Sequence, residues 1–176
     1  MAVDAFIWFK NASGGGLTPE GETTDAFFSK EKAFEINDFT FGVENATTIG
    51  SATGGAGAGK VKFNEFTIRR TTDQSSPVLF KNCCVGAHYE SVIIAMRKAG
   101  GDPTTAGREF LRFKFDTVFT TKIDWSGPGD EGPQESITFV YGKLGIMFTP
   151  PTAGLKPVLA GWDQVLNKDA SDSIGR

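Results

Sequence analysis

The sequence has only two cysteines and one histidine in 176 residues. Cys83 and Cys84 are adjacent, so their Cα atoms are only about 3.8 Å apart, closer than an unstrained disulfide needs. Two cysteines and one histidine also fall short of the four ligands of a structural zinc site. We therefore expect no disulfide framework and no metal site. The two thiols are predicted to be small buried side chains in a reducing compartment.

Long apolar segments and an excess of basic residues are also missing. No stretch approaches the roughly 20 apolar residues that span a bilayer, and the N-terminus MAVDAFIWFK lacks the basic start of a signal peptide. Eighteen basic and 21 acidic residues give a net charge of −3, which argues against a nucleic-acid-binding surface. We expect a chain that folds in the cytoplasm, inserts into no membrane and does not use the general secretory route.

The aromatic residues are mostly phenylalanine, with 16 Phe against two Tyr and three Trp. The Phe ring suits a buried core because it has no polar group to satisfy. A chain of 18.9 kDa can bury one core without disulfides or metals. No repeat or change of composition marks a second domain, so we expect residues 1–176 to form a single domain.

Most segments alternate apolar and polar residues, which is the period of a β-strand. These segments lie at 3–9, 33–44, 60–72, 89–98, 109–119 and 135–148. The first is apolar on both faces, because Phe6 and Trp8 alternate with Ile7, so it is predicted to be central or covered by another element, including another subunit. The alternation shifts near Asn37–Asp38 and again between 63 and 66, which predicts bulges or twists. Residues expected to face the core are Phe39, Phe41, Val43, Val92, Ile94, Met96, Leu111, Phe113, Phe115 and Phe119.

One helix is predicted after Ser75, which suits an N-cap and is followed closely by Pro77, and Gly86 suits its end. Its apolar stripe comprises Val78, Leu79, Cys83 and Cys84. With six or more strands, the sequence predicts an all-β dominated protein: a compact β-barrel of two packed antiparallel sheets with one short α-helix and long loops. The Gly- and Thr-rich loops at about 11–32 and 45–59 are predicted to be flexible.

The segment Gly54–Lys60 fits the G-x-x-x-x-G-K pattern of a phosphate-binding loop. Val61 replaces the Ser or Thr that would bind magnesium, and the following residues have the period of a strand, so no helix N-terminus faces the loop. We interpret this segment as a linker and expect no cofactor.

The other residues that could take part in catalysis do not indicate an enzyme. His88 has no nucleophile motif beside it, so a structural hydrogen bond is the favoured role. The acidic residues Glu20, Glu22, Asp25, Asp130, Glu131 and Glu135 are read as solvated loop charges. Two alternatives stay open, a hydrolase with a carboxylate pair that meets in space and a lectin-like binding module that uses Trp125. Apolar surface beyond what one core absorbs favours self-association.

Three segments of the chain are recognisable: MAVDAFIWF at the start, GKVKFNEFTIRRTTDQSSPVLFKNCCVGAHYESVIIAMRKAGG with its T-x-D-x-x-S-P turn at Thr71–Pro77, and Gly-Trp-Asp at 161–163. In these segments the sequence resembles the Hcp family, the hemolysin-coregulated tube proteins of type VI secretion. The first loop, Asn11–Lys32, looks longer than is usual for the family.

The resemblance implies a non-enzymatic secreted subunit that forms hexameric rings. The rings would stack into a tube with a VgrG-type spike protein and a contractile sheath, and would carry or chaperone effectors. We expect Asp38 and Thr40 to face the ring lumen, because they alternate with core residues and a channel for cargo needs a hydrophilic lining. Structural roles are expected for Pro77, His88 and Trp162. Ring stacking is expected to use Asn45, Thr47, Thr48, Gly54, Gly55, Gly57 and Gly59.

Overall fold

The computed structural model describes residues 3–47, 59–98, 109–128, 130, 132–152 and 154–174. The strands in chain order are β1 (Val3–Ser13), β2 (Phe34–Glu35), β3 (Asp38–Thr40), β4 (Val43–Asn45), β5 (Val61–Phe63), β6 (Phe66–Thr71), β7 (His88–Lys98), β8 (Glu109–Ser126), β9 (Gln134–Phe148), β10 (Val158–Asp163) and β11 (Lys168–Asp169). The helix α1 spans Ser76–Val85, and two short 3-10 helices span Ser29–Glu31 and Ser171–Ile174.

The main sheet closes into a barrel through antiparallel pairs. The order is β1, β7, β8, β9, β6 and β3, and β2 returns to β1. The closure lies where Ile36 donates its N–H to the carbonyl of Ala5 (3.0 Å) and Asn37 donates to that of Arg69 (2.7 Å). The predicted shift near Asn37–Asp38 is therefore confirmed, because the chain changes partner from β1 to β6 there. Closure leaves few strand edges unpaired, and the predicted all-β architecture with one helix is confirmed.

Two pairs of strands lie outside this closed path. β4 and β5 pair only with each other, while the second half of β9 pairs with β10, which pairs with β11. The last predicted strand ended at 148, so β10 and β11 were not predicted. The anchor of the tail was missed as well: Ile174 is buried against Gly145, where an added Cβ would lie 2.1 Å from the Ile174 side chain.

Aromatic residues fill the barrel. Phe66 stacks on Phe115 and Phe139, with ring centroids 4.1 and 4.6 Å apart, and Leu79 of α1 belongs to the same core. The helix starts after Ser75 and ends at Gly86 (φ 67°), as predicted. Burying each of these large apolar side chains contributes about 1.5–3 kcal/mol to folding.

Two residues expected in the core are exposed. Val43 is 49% exposed and belongs to β4, which pairs only with β5 and not with the main sheet. Phe119 is 38% exposed. Thr117 has a positive φ of 55°, which interrupts the pleat, and Val118 is buried in place of Phe119.

The outer face of β1 is covered by the chain's own first loop, not by another subunit. Phe28 and Ala33 pack on Phe6, Trp8, Ile93 and Ala95, with the Phe6 and Phe28 rings 4.3 Å apart. β1 runs on to Ser13, so the loop predicted from Asn11 begins later. Asp25, read as a solvated charge, forms an ion pair with Arg97 instead.

The predicted helix stripe is wrong at the cysteines. Cys84 is exposed and Cys83 is half-buried, so the expectation of two buried thiols fails. The buried residue of that turn is Asn82. It donates to the Tyr89 hydroxyl (2.9 Å) and to the Leu17 carbonyl (2.7 Å), which ties the helix to β7 and the first loop.

Candidate functional site

Part of the outer surface of the barrel presents hydrophilic side chains over four adjacent strands. It consists of Asp38 and Thr40 on β3, Thr67, Arg69 and Thr71 on β6, Gln134, Ser136 and Thr138 on β9, and Lys122, Asp124 and Ser126 on β8. We call this set the hydrophilic face. The registers bring it together, since Asp38 lies opposite Arg69, Arg69 opposite Ser136 and Ser136 opposite Asp124.

Alternation explains why these side chains share a face. The residues between them point inward: Ile68, Arg70 and Ile137 are buried and Phe39 packs on Phe113, with ring centroids 5.8 Å apart. In a strand, successive side chains point to opposite faces. The remaining members of the set therefore point away from the core.

The charged side chains of the hydrophilic face are paired within it. Arg69 Nη1 lies 3.4 Å from Asp38 Oδ2, and Lys122 Nζ lies 2.7 Å from Asp124 Oδ2. The hydrogen bond and the negative charge of Asp124 raise the pKa of Lys122. The two pairs leave the face without net charge. Exposed Glu65 precedes β6 and lies outside these registers.

Hydroxyl and amide groups fill the rest of the face. Thr40, Thr67 and Thr138 are opposite one another across three strands, and the hydroxyls of Thr67 and Thr138 are 3.0 Å apart. Gln134 accepts from the side-chain amide of Asn37 (3.0 Å) and donates to the Thr71 hydroxyl (3.1 Å). This surface can both donate and accept hydrogen bonds.

Sequence reasoning selected only Asp38 and Thr40 of this face. Both are exposed, on the side of β3 away from the core. The members on β6, β8 and β9 were missed, although the alternation F-T-I-R-R-T at 66–71 and Q-E-S-I-T at 134–138 carries the same signal.

Two exposed apolar patches lie toward opposite ends of β8. The first, the end patch, comprises Ile146, Phe148 and Val158, which are 36%, 43% and 64% exposed; Phe148 lies opposite both Val158 and Leu111. The second, the aromatic pair, consists of Phe80 and Trp125, whose rings are 6.0 Å apart. Leu111, beside the end patch, and Trp125, in the aromatic pair, are both on β8. At roughly 3.3 Å per residue of strand, they are separated by up to about 46 Å.

The hairpin of β4 and β5 carries the segment predicted to stack rings. Asn45 belongs to β4 and lies opposite Val61. The prediction that Asn45 lies in a loop is therefore wrong. Thr47 donates to the carbonyl of Asn45 (2.9 Å), and a Cβ on Gly59 would lie 2.0 Å from the Ala46 carbonyl oxygen. The other predicted stacking residues, Thr48, Gly54, Gly55 and Gly57, lie outside the described residues. Val61 begins β5. A strand after Lys60 was predicted, and it was the reason for not assigning a phosphate-binding loop to Gly54–Lys60.

A buried ion pair that the sequence analysis missed lies below the T-x-D-x-x-S-P turn. Arg70 and Glu135 are both buried, and Arg70 Nε donates to Glu135 Oε1 over 2.6 Å. Arg70 also donates to Asp73 (2.9 Å) and Ser75 (2.7 Å), and Trp125 Nε1 donates to Glu135 (3.1 Å). Glu135 is therefore not the solvated loop charge that we expected.

The predicted structural residues have different surroundings. Pro77 lies in the first turn of α1. His88 Nε2 is 2.8 Å from the Ser13 hydroxyl, and its ring lies 5.2 Å from that of Phe119. Trp162 is half-buried on β10, opposite Leu144 and Asp169.

The residues that the structure describes contain no cluster of metal ligands and no membrane-spanning helix. Among them, no three His, Cys, Asp or Glu side chains converge as metal ligands would. The helix α1 is too short to cross a bilayer, and no described helix has the length and apolar character of a membrane span.

Comparison with known proteins places the chain among secretion proteins. The profile of one family, described as "Type VI secretion system effector, Hcp", matches residues 6–148. Protein hcp1 of Pseudomonas aeruginosa is 28% identical over 109 residues, which are 59% of this chain and 65% of that protein. The match thus spans just under two thirds of that relative.

Solved structures share the fold. The crystal structure of Hcp1 from Salmonella typhimurium is 23% identical with a TM-score of 0.73, covering 97% of this chain and all of that one. The structure of a type six secretion system protein is 24% identical with a TM-score of 0.80, covering 96% of this chain and 100% of that one.

Proposed function

Because the chain belongs to the Hcp family of type VI secretion proteins, we propose that it is a subunit of the inner tube of a type VI secretion system. Members of this family are structural secreted proteins and not enzymes, in agreement with the sequence prediction. In the proposed assembly, six copies form a ring, rings stack into a tube, and the lumen carries effectors.

The observation that supports this proposal most strongly is the hydrophilic face. A channel that lets folded cargo pass must stay hydrated and must not adsorb apolar surface, and this face offers hydroxyls, amides and paired charges over four strands. We assign it to the ring lumen. The predicted lumen residues Asp38 and Thr40 lie at one side of it, on β3.

The two apolar patches support the contacts between copies. Exposed apolar clusters usually mark interfaces, and two different patches at opposite ends of one subunit suit a head-to-tail contact, which closes into a ring when the rotation fits. The end patch of one copy would contact the aromatic pair of the next. The hairpin segment 45–59 would contribute to contacts between stacked rings.

The further partners follow from family membership and are proposed with it. A VgrG-type spike protein would sit at the tip of the tube, a contractile sheath around it and effectors inside it. The subunit would be assembled in the cytoplasm and leave through this apparatus to the extracellular space or a target cell.

Imaging of the purified full-length protein by negative-stain electron microscopy tests the proposal. We expect rings for the wild type and loss of rings for Val158→Asp, which places a charge in the end patch. Leu166→Asp is the matched control, because Leu166 is 62% exposed in the turn after β10 and belongs to neither patch. A wild-type protein that stays monomeric at high concentration would contradict the proposed ring.

A further inference from the structure

We propose that the hydrophilic face selects cargo by uncharged hydrogen bonds and not by electrostatic attraction. Its preferred partner is then a protein surface rich in Ser, Thr, Asn and Gln. This inference rests on the proposed function, in which the face lines the ring, and it names the surface chemistry of what the ring carries.

The internal pairing of charges is the first argument. A ring of six copies multiplies every unpaired lumen charge by six, and such a ring of like charges would hold any cargo of opposite sign. Here each cation of the face has an anion within reach, Asp38 for Arg69 at 3.4 Å and Asp124 for Lys122 at 2.7 Å. A pair of opposite charges so close together acts on a distant cargo only as a dipole, and salt screens it further over a Debye length of about 8 Å.

The free hydroxyls are the second argument. In the described part of the chain, the hydroxyls of Thr40, Ser126 and Ser136 have no hydrogen-bond partner of their own, although the neighbouring Thr67 and Thr138 pair with each other. A hydroxyl can donate one hydrogen bond and accept others. These three groups on β3, β8 and β9 therefore remain available to side-chain amides and hydroxyls of a cargo surface.

The composition of the face is the third argument. Its eleven residues include no aromatic and no aliphatic side chain; the outward surface becomes apolar only beyond Thr138, where Val140 lies opposite the exposed Phe119. Individual hydrogen bonds exposed to water contribute little to binding, because they replace hydrogen bonds to water. Repetition around a ring adds such weak contacts, which hold a cargo yet let it leave.

The test uses rings of the full-length chain and three fluorescent peptides of equal length: one of Ser, Thr, Asn and Gln, one rich in Lys and one rich in Glu. We expect wild-type rings to bind the uncharged peptide best. That binding should change less than about twofold when the salt rises from roughly 0.1 to 1 M, a range over which the Debye length falls from about 10 to about 3 Å.

Single and double variants make the test specific. Asp38→Asn leaves the charge of Arg69 unpaired, so it should raise binding of the Glu-rich peptide severalfold at low salt. Arg69→Gln leaves the charge of Asp38 unpaired, so it should raise binding of the Lys-rich peptide severalfold at low salt. The double variant restores neutrality and should return to the wild-type pattern. Glu31→Gln is the matched control, since Glu31 pairs with Lys10 (3.8 Å) on an exposed site outside the face.

The outcomes separate this inference from the proposed function. Intact wild-type rings that bind a charged peptide best and in a salt-dependent way, or that bind none of the three, overturn the inference alone. An unchanged pattern in Asp38→Asn rings also overturns it. Absence of rings in the wild type contradicts the proposed function itself.

Discussion

Arg70 and Glu135 form an ion pair inside the barrel, with Nε donating to Oε1 over 2.6 Å and both side chains buried. Arg70 is on β6 and Glu135 on β9, and Ser76 at the start of α1 also donates to Glu135 (2.9 Å). The guanidinium lies over the Phe34 ring, 4.2 Å from its centroid. One pair thus connects two strands of the barrel to the helix and orients Trp125 of the proposed interface.

Arg70→Met should destabilise the fold strongly. It leaves the buried carboxylate of Glu135 without its cation, and breaking a buried pair from one side costs about 3–5 kcal/mol. The free energy of unfolding in urea, measured at one protein concentration because assembly adds apparent stability, checks this. The control is Arg69→Gln, whose exposed pair contributes at most about 1 kcal/mol. Equal losses in both variants would contradict the assignment.

Asp73 should make the fold sensitive to acid. Burial raises the pKa of Asp73, but hydrogen bonds from Arg70 and Ser75 outweigh it and hold the pKa below the usual value of an aspartate. A carboxyl group whose pKa is lower in the folded than in the unfolded protein stabilises the fold at a pH above its unfolded-state pKa. This stabilisation is lost as the pH falls through its folded-state pKa.

We therefore expect a loss of stability below about pH 4 that is smaller in Asp73→Asn, measured as the free energy of unfolding against pH. Asp124→Asn, an exposed carboxylate on the hydrophilic face, is the control and should retain the wild-type loss. An identical acid profile for Asp73→Asn and the wild type would show that Asp73 does not contribute.

The barrel and its helix could be predicted because alternation and capping residues are local signals. The buried Arg70 could not, since arginine is rarely buried, although Arg70 shares the parity of Phe66 and Ile68. Phe119 was misplaced because nothing in the sequence marks the positive φ of Thr117. Most of the proposed lumen, nine of the eleven residues of the hydrophilic face, was missed because pairing between distant strands, such as β6 with β9, is not a local property.

Gly145→Ala should displace the C-terminal turn. The new Cβ would lie 2.1 Å from the side chain of Ile174, and such overpacking costs about 1–3 kcal/mol. Ile174→Ala should itself cost about 2–5 kcal/mol, because Ile174 is buried. In a double-mutant cycle followed by urea unfolding, Gly145→Ala should add almost nothing once Ile174 is Ala. Strict additivity would mean that the two residues do not touch.

Both cysteines should be dispensable for folding and for ring formation. Cys84 is exposed and Cys83 half-buried, so replacing both with Ala should change stability by no more than about 0.5 kcal/mol and leave rings visible by negative stain. Burial and the neighbouring thiol raise the pKa of Cys83, so a maleimide should label Cys84 first. Loss of rings only under oxidising conditions would reveal a redox role instead.

Thr40→Trp tests the lumen assignment directly. Thr40 is exposed on β3, opposite Thr67, and an aromatic residue suits an exposed strand position, so we expect the variant to fold. If Thr40 faces the channel, six indoles narrow it, and class averages from negative stain should show intact rings with a smaller opening and weaker retention of the uncharged peptide.

The matched control for that experiment is Lys30→Trp, which is also an exposed position, in the 3-10 helix of the first loop and outside the hydrophilic face. It adds the same indole to the subunit, so it should leave the opening unchanged, and any general effect of an added aromatic ring would appear in both variants. Unfolded protein or monomers from Thr40→Trp alone would place Thr40 in the core or in a subunit interface. Rings with an unchanged opening would place it on the outer surface, and either result would move the lumen to another face of the barrel.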